Sequence, residues 1–326
     1  MLSRVAEAIY WMGRYVERAE NVARVVNVNL NMMLEAGGEE QQWWPLVNTT
    51  GDHEDFKKRY GEAHRDNVIK FLTFDEANPN SIISCLRAAR ENGRSVREII
   101  SSEMWLQLNK FYLMVKETTG RKHIDSLDEF YSDIKLASHL FTGITDATMT
   151  HGEAWHFSRL GRMLERADKT SRLLDVKYFI LLRSVADIGT PMDDTQWASV
   201  LRSVSAFEMY RKRHGRISPV GIVQFLLLDH EFPRAVLFCV RAADKSLHAI
   251  SATGQDMPKN AAESCLDNLC AHLDEAQVDA IVASGLHEYL DELQTRMNEL
   301  GTAIHQTFFA KRVPQPGEQL AEHRGQ

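Results

Sequence analysis

Arginine and glutamate spaced three and four residues apart share one face of a helix, and this chain sets them out that way twice. Arg14, Glu17, Arg18 and Arg24 lie in YWMGRYVERAENVARVVNV, residues 10–28, and Arg162, Glu165, Arg166 and Arg172 lie in SRLGRMLERADKTSRLLDV, residues 158–176. Guanidiniums steadied by a carboxylate form a preset clamp for phosphate or carboxylate, because the planar fork meets two oxygens at once. The same glutamates could act as general bases while the arginines stabilise developing charge. Two structural readings use the same residues. In one, the charges form ladders on a solvated helix face, with Glu20 to Arg24 and Asp168 to Arg172 worth ~0.3–0.5 kcal/mol each. In the other, Glu17 and Glu165 are buried, each holds an arginine, and together they join two halves of the molecule. Arginine outnumbers acid along both stretches. Unpaired buried charge is costly, so the surplus predicts an acid supplied by another part of the fold or by a ligand.

The two stretches stand at a constant offset of 148 residues, as from Arg14 to Arg162, and seven of nineteen positions are identical. More of the chain repeats. FLTFDEANPNSIISCLRAA, residues 71–89, returns as FLLLDHEFPRAVLFCVRAA, residues 225–243, at an offset of 154. Trp43 and Trp197 fit that offset, as do KKRYG at 57–61 and RKRHG at 211–215. A weaker echo sets Tyr131, Asp133 and Gly143 against Tyr289, Asp291 and Gly301 at an offset of 158. The pattern predicts a tandem duplication of a half-length unit, too long for a solenoid repeat. The expected organisation is a first helical repeat over 1–150, a second over 151–312 with a pseudo-two-fold relation to it, and a disordered tail over 313–326.

Helical periodicity dominates the pattern and no convincing alternating strand is found, so the fold class is all-α. A first helix is expected from Ser3, as N-cap, to Glu35, with Val5, Ile9, Met12, Val16, Ala19, Ala23, Val26 and Leu30 as its apolar stripe. Further helices are expected over 53–62, 65–74, from Pro79 to about 100, 102–117, 127–148, 152–185 and 287–309. Linkers are expected at 37–42, 118–123, 187–194 and 253–260. The basic KKRYG and RKRHG stretches read as solvated, and Ser101-Ser102-Glu103 reads as an N-cap region.

Composition narrows the function. The chain has 326 residues, 44% hydrophobic and 25% charged, with a net charge of −7, which argues against a general nucleic-acid binder. No long apolar run predicts a membrane span, and no secretory leader is read at the N-terminus. Cys85 and Cys239 are expected as buried thiols; Cys265 and Cys270 lack zinc or redox spacing. A reducing cytoplasm fits that usage. The histidines show no paired-ligand spacing, so no metal site is expected, and His305 reads as packing or surface. Phosphate-loop motifs are missing, so no nucleotide hydrolysis by this chain alone and no cofactor is expected.

The opening MLSRVAEAIYWMGRYVERAENVAR resembles the bacterial alpha-E family, all-helical proteins named for an ER motif, here Glu17-Arg18 and again Glu165-Arg166. ENGRSVREIISSEMW (91–105), HFSRLGRMLERAD (156–168) and GLHEYLDELQTRMNELGTAIHQTFF (285–309) also look like that family. Such proteins are typically encoded beside, or fused to, circularly permuted ATP-grasp proteins, with transglutaminase-like peptidases as frequent neighbours. The resemblance therefore implies a role in a peptide or amide ligation system and a circularly permuted ATP-grasp protein as partner. Three functions follow as expectations: an accessory subunit of such a ligase that binds an anionic substrate or phosphate through the arginines, an enzyme using the Glu-Arg pairs, or a structural oligomeric scaffold.

Overall fold

The computed structural model describes residues 1–36, 43–119, 124–176, 191–252 and 259–310, and all regular structure within them is helical. The longest helix, α1 (Ser3–Ala36), buries every residue of the expected stripe from Val5 to Leu30. Its start differs in one detail. Leu2, not Ser3, holds the cap position, and its carbonyl accepts from the amides of Val5 and Ala6 at 2.9 and 3.0 Å.

Short helices follow: α2 (Trp44–Thr50), α3 (His53–Tyr60) and α4 (Arg65–Ile69), the last running into a π-helical turn at Lys70–Phe74. Helix α5 (Ile82–Ser95) begins later than Pro79 suggested. Ser81 caps it, its Oγ accepting from the Ser84 amide at 3.2 Å, while Pro79 sits in the preceding turn. Helices α6 (Ser102–Thr119) and α7 (Leu127–Thr148) form an antiparallel pair, capped by Ser101 and Ser126. Thr118 and Thr119, expected in a linker, close α6 instead.

A similar order returns. Helix α8 (Glu153–Val176) is followed by α9 (Pro191–Ser203), α10 (Phe207–His214), α11 (Pro219–Leu228) and α12 (Val236–Ser251). Helix α13 (Ala261–Asp274) opens on a full capping box of Asn260 and Glu263. Then come α14 (Val278–Ser284) and α15 (Leu286–Ile304), which ends in a π-helical turn at His305–Phe309. The expected extension of α8 to residue 185, the linker at 37–42 and the tail at 313–326 lie outside the described residues.

Helices α1 and α8 cross at the centre of one continuous apolar core. Around them α1 packs on α5 and α7, and α8 packs on α12 and α15. The crossing is close because each helix offers a glycine to the other. A Cβ at Gly13 would stand 2.5 Å from the Ser158 carbonyl oxygen, and one at Gly161 would stand 2.3 Å from that of Tyr10. Both obstacles are backbone, so neither can yield. On α7, Tyr131, Ile134, Ser138, Phe141 and Thr145 are buried; on α15, so are Leu290, Leu293, Met297, Leu300 and Ile304. That spacing is 159, as from Tyr131 to Leu290, one residue beyond the echo read from Tyr131 and Tyr289. Burial fixes the register, and the matching tyrosines fall one step out of it.

Candidate functional site

The charged residues of α1 and α8 meet at this crossing as two linked clusters. In the first, Glu165 is fully buried on α8 and takes its hydrogen bonds from α1. Arg14 Nε donates to Glu165 Oε2 at 2.8 Å, and Arg18 donates through Nε and Nη2 at 2.6 and 3.0 Å. Lys169 Nζ stands 3.8 Å from the same carboxylate and 3.2 Å from Asp168, which also takes Arg172 Nε at 3.0 Å. Arg18 Nη1 reaches Asn80 Oδ1 at 2.7 Å, and the Asn80 amide donates to Asp52 at 2.9 Å.

The second cluster reverses the helices. Glu17 on α1, 1% exposed, takes Arg166 of α8 through Nε at 2.9 Å and Nη2 at 2.7 Å. Arg234, just before α12, donates to Glu17 at 3.0 Å and to Asn21 at 3.1 Å, and it also bonds Glu20. Glu20 further accepts from Arg24, from Ser138 Oγ at 2.7 Å, and meets His139 Nε2 at 3.1 Å. The far end of Arg24 bonds Ser205, whose φ of 52° is left-handed, a conformation that costs a side-chain-bearing residue free energy. Arg162 is set apart from both clusters. Asp146 of α7 stands 3.7 Å from its Nη2, and its buried Nε has no hydrogen-bond partner among the described residues.

These contacts decide the protonation states. Burial opposes the charge on Glu165, but Arg18, then Arg14 and Lys169, outweigh it and hold the carboxyl well below the usual range. At Glu17 burial likewise opposes ionisation and Arg166 and Arg234 overcome it. Glu20 is held well below its ordinary value against its own burial, chiefly by Arg234 and the hydrogen bond from His139. Burial pushes Arg24 and Arg162 down, with Arg234 and Arg166 adding repulsion in turn. Both ER glutamates are thus saturated carboxylates with little capacity to accept a proton.

The solvated-ladder reading applies only in part: Glu20 to Arg24 and Asp168 to Arg172 are i, i+4 pairs, yet both acids are buried. Sequence reasoning missed Ser138 and His139 on α7 and Asn80 and Arg234 in the turns before α5 and α12, which complete the clusters. For Arg234 a signal existed, since it stands 154 residues beyond Asn80 inside the recurring sequence pattern, with a charge where the earlier occurrence has an amide. The basic stretches are also less free than expected. Arg59 pairs with Asp75 at 2.7 Å and, 154 residues on, Arg213 pairs with Asp229. Cys85 and Cys239 are free and buried as expected, each Sγ donating to the carbonyl of Pro79 or Pro233.

A cavity of about 450 Å³ opens at the Arg14 end of the crossing, lined by Tyr10, Trp11, Arg14, Thr302, His305 and Gln306 among others. Arg14 is held there by Glu165 behind it, by Tyr10 Oη at 3.3 Å, and over the Trp11 ring at 5.0 Å. His305, read as packing or surface, lies on the cavity rim and is 57% exposed. Elsewhere Asp244, His248 and Asp267 come within 4.8 Å of one another, but Lys259 already neutralises Asp267.

Two curated relatives match nearly the whole chain. An uncharacterized protein of Mycobacterium bovis is 22% identical over 346 residues, covering 96% of this chain and 37% of the relative. An uncharacterized protein of Mycobacterium tuberculosis strain H37Rv is 21% identical over the same length and coverage. The chain therefore spans little more than a third of the curated relatives it matches. No solved structure matches it. No helix among the described residues is long and apolar enough to cross a membrane. Residues 1–309 match Alpha-E, described as a predicted alpha-helical domain with a conserved ER motif; with that motif at the centre of its helix crossing, the chain belongs to the Alpha-E family.

Proposed function

We propose that this protein is an accessory subunit of a peptide or amide ligation system, with a circularly permuted ATP-grasp protein as its partner, and that its ER motifs are architecture rather than catalytic groups. The observation that carries this reading is the state of Glu17 and Glu165: buried, bidentately bound by guanidinium, and held ionised. A general base needs a pKa near the working pH and reach to a substrate proton, and these carboxylates have neither. The ATP-grasp partner follows from the family resemblance. The length of the relatives, well beyond the matched segment, is consistent with a module that works beside another.

The surface offers a face for such a partner. Leu106 and Leu113 on α6 and Leu136 and Leu140 on α7 are 40–64% exposed on the outer side of the pair. Burial sets α13 158 residues beyond α6, as Leu108 to Leu266 and Val115 to Leu273, and α15 159 beyond α7, so the matching positions are Ser264, Ala271, Thr295 and Glu299, and the apolar face is carried on one side only. We assign that face to the ligase. The two halves, 1–150 and 151–312, are read as duplicated units about a pseudo-two-fold axis, supported by the reciprocal glycine contacts and the reciprocal Glu–Arg clamps. Four free cysteines suit a reducing cytoplasm.

Co-purification with the neighbouring ATP-grasp protein, followed by an ATP-dependent ligation assay with and without this chain, tests the reading. Co-purification and faster ligation are expected, and Leu106→Glu with Leu140→Glu should abolish both while leaving the fold intact. Ligation by this chain alone, lost on Glu165→Gln, would overturn it.

A further inference from the structure

We infer that the cavity between Arg14 and His305 binds the carboxylate of a small, partly apolar molecule such as an amino acid or short peptide. The biological role of this site rests on the accessory-subunit reading; its existence does not. The argument begins with Arg162, which occupies in the second phrase the place Arg14 has in the first, 148 residues on. Arg162 has an acid before it, Asp146 of α7, at 3.7 Å. The burial register between α7 and α15, 159 residues, carries Asp146 onto His305. Arg14 is thus paired with Glu165 but lacks a counterpart of Asp146, and a cavity of about 450 Å³ stands in that place.

Charge points the same way. Around Glu165 and Asp168 stand Arg14, Arg18, Lys169 and Arg172, four cations for two acids. Arg14 is the member of this group that opens on the cavity, and its Nη2 has no hydrogen bond among the described residues. Glu165 and Tyr10 fix the guanidinium by its other nitrogens, and Trp11 lies against its face at 5.0 Å, so the free edge is held in one orientation before any ligand arrives.

The rest of the lining selects the ligand. Asn298, Thr302, His305 and Gln306 offer hydrogen-bonding groups, while Trp11 and Phe309 are apolar walls, the combination expected of a small-molecule site. Asp168 also lines the cavity and Glu7 stands 3.9 Å from His305 Nδ1. Those acids repel a phosphate dianion more than a single carboxylate, and one guanidinium edge matches the latter. Arg14 then receives from a ligand what Arg162 receives from Asp146.

Calorimetric titration of the isolated chain with alanyl-phenylalanine, its C-terminal amide and inorganic phosphate tests this. The free carboxylate should bind, the amide at least about tenfold more weakly, and phosphate no better than the amide. Arg14→Lys should weaken the peptide about tenfold, because lysine lacks the fork. His305→Asp should abolish binding by giving Arg14 its own internal acid, with melting temperature held or raised. Phosphate binding tighter than the peptide would refute the ligand class. Equal affinity in both variants would refute the location, and no peptide binding to the intact protein would refute the site even if the ligase co-purifies. Peptide binding without co-purification would instead remove the accessory-subunit reading and leave the site standing.

Discussion

Replacing Glu165 by alanine removes the anion on which two arginines and a lysine converge. The carboxylate is fully buried and receives three hydrogen bonds of 2.6–3.0 Å from Arg14 and Arg18, with Lys169 at 3.8 Å. Loss of one partner from a buried ion pair costs ~3–5 kcal/mol, because the stranded charge is no longer compensated. Here the arginine side chains keep 18% and 15% exposure and recover some hydration, which favours the lower end, ~3 kcal/mol. At roughly 2 °C of melting temperature per kcal/mol for a chain of this size, the expected drop is about 6 °C. Glu17→Ala should cost more, since its partners Arg234 and Arg166 are only 8% and 13% exposed and Arg234 is shared with Glu20. Thermal melts followed by circular dichroism give the first reading. A double-mutant cycle of Glu165→Ala with Arg18→Met then isolates the coupling, which should exceed ~1 kcal/mol. Drops under about 1 °C in both glutamate variants would refute the buried-network account and return the charges to a solvated face.

Stability should fall on acidification in a definite window. Glu17, Glu20 and Glu165 have folded pKa values below the ordinary 4.5, so their contribution is complete above that value and is lost as pH falls through the folded ones. Urea midpoints should therefore hold near neutrality and decline below about pH 4.5, and a midpoint rising on acidification would contradict the assignment. Gly161→Ala should destabilise by ~1–3 kcal/mol or more, because its Cβ would lie 2.3 Å from the Tyr10 carbonyl oxygen; a melting temperature at or above that of the parent would mean the helices can separate freely. Burial pushes the Cys85 and Cys239 thiols up to about 12, so both should resist a bulky thiol reagent until the protein unfolds, and fast native-state labelling would place them outside the core.

The helices of this fold were largely legible because their cause is local. The stripe from Val5 to Leu30 needs only a 3.6-residue period and a core to face, and all eight of its residues are buried. Boundaries were less legible where the cap was ambiguous: Pro79 looked like a helix start, but the Ser81 hydroxyl takes that role two residues later. The charged phrases announced their own importance through spacing, yet spacing could not say that Glu17 and Glu165 each take arginines from the opposite helix. That depends on the crossing of α1 and α8, which in turn depends on Gly13 and Gly161 allowing backbone to touch backbone. Arg234 carried a signal in the 154-residue offset from Asn80, and His305 was read as packing or surface because its own neighbours give no hint of a role. His305 matters through Asp146, which stands 159 residues before it, and that comparison needs the register that burial on α7 and α15 supplies.

The two clusters are not copies, and the difference sets a pairing rule. Around Glu17 the extra cation is Arg234 from the opposite half, with Asn21 beside it; around Glu165 it is Lys169 from the same helix, with Asn80 across from it. A first half facing another first half would bring asparagine to both places and leave its carboxylates short of a cation. A second half facing another second half would bring both Arg234 and Lys169 to one carboxylate, an excess of buried positive charge. On the proposed duplication each segment thus matches the other and rejects itself, as unlike strands do in a coiled coil with complementary flanking charges. That discrimination rests on two asparagines, Asn21 and Asn80.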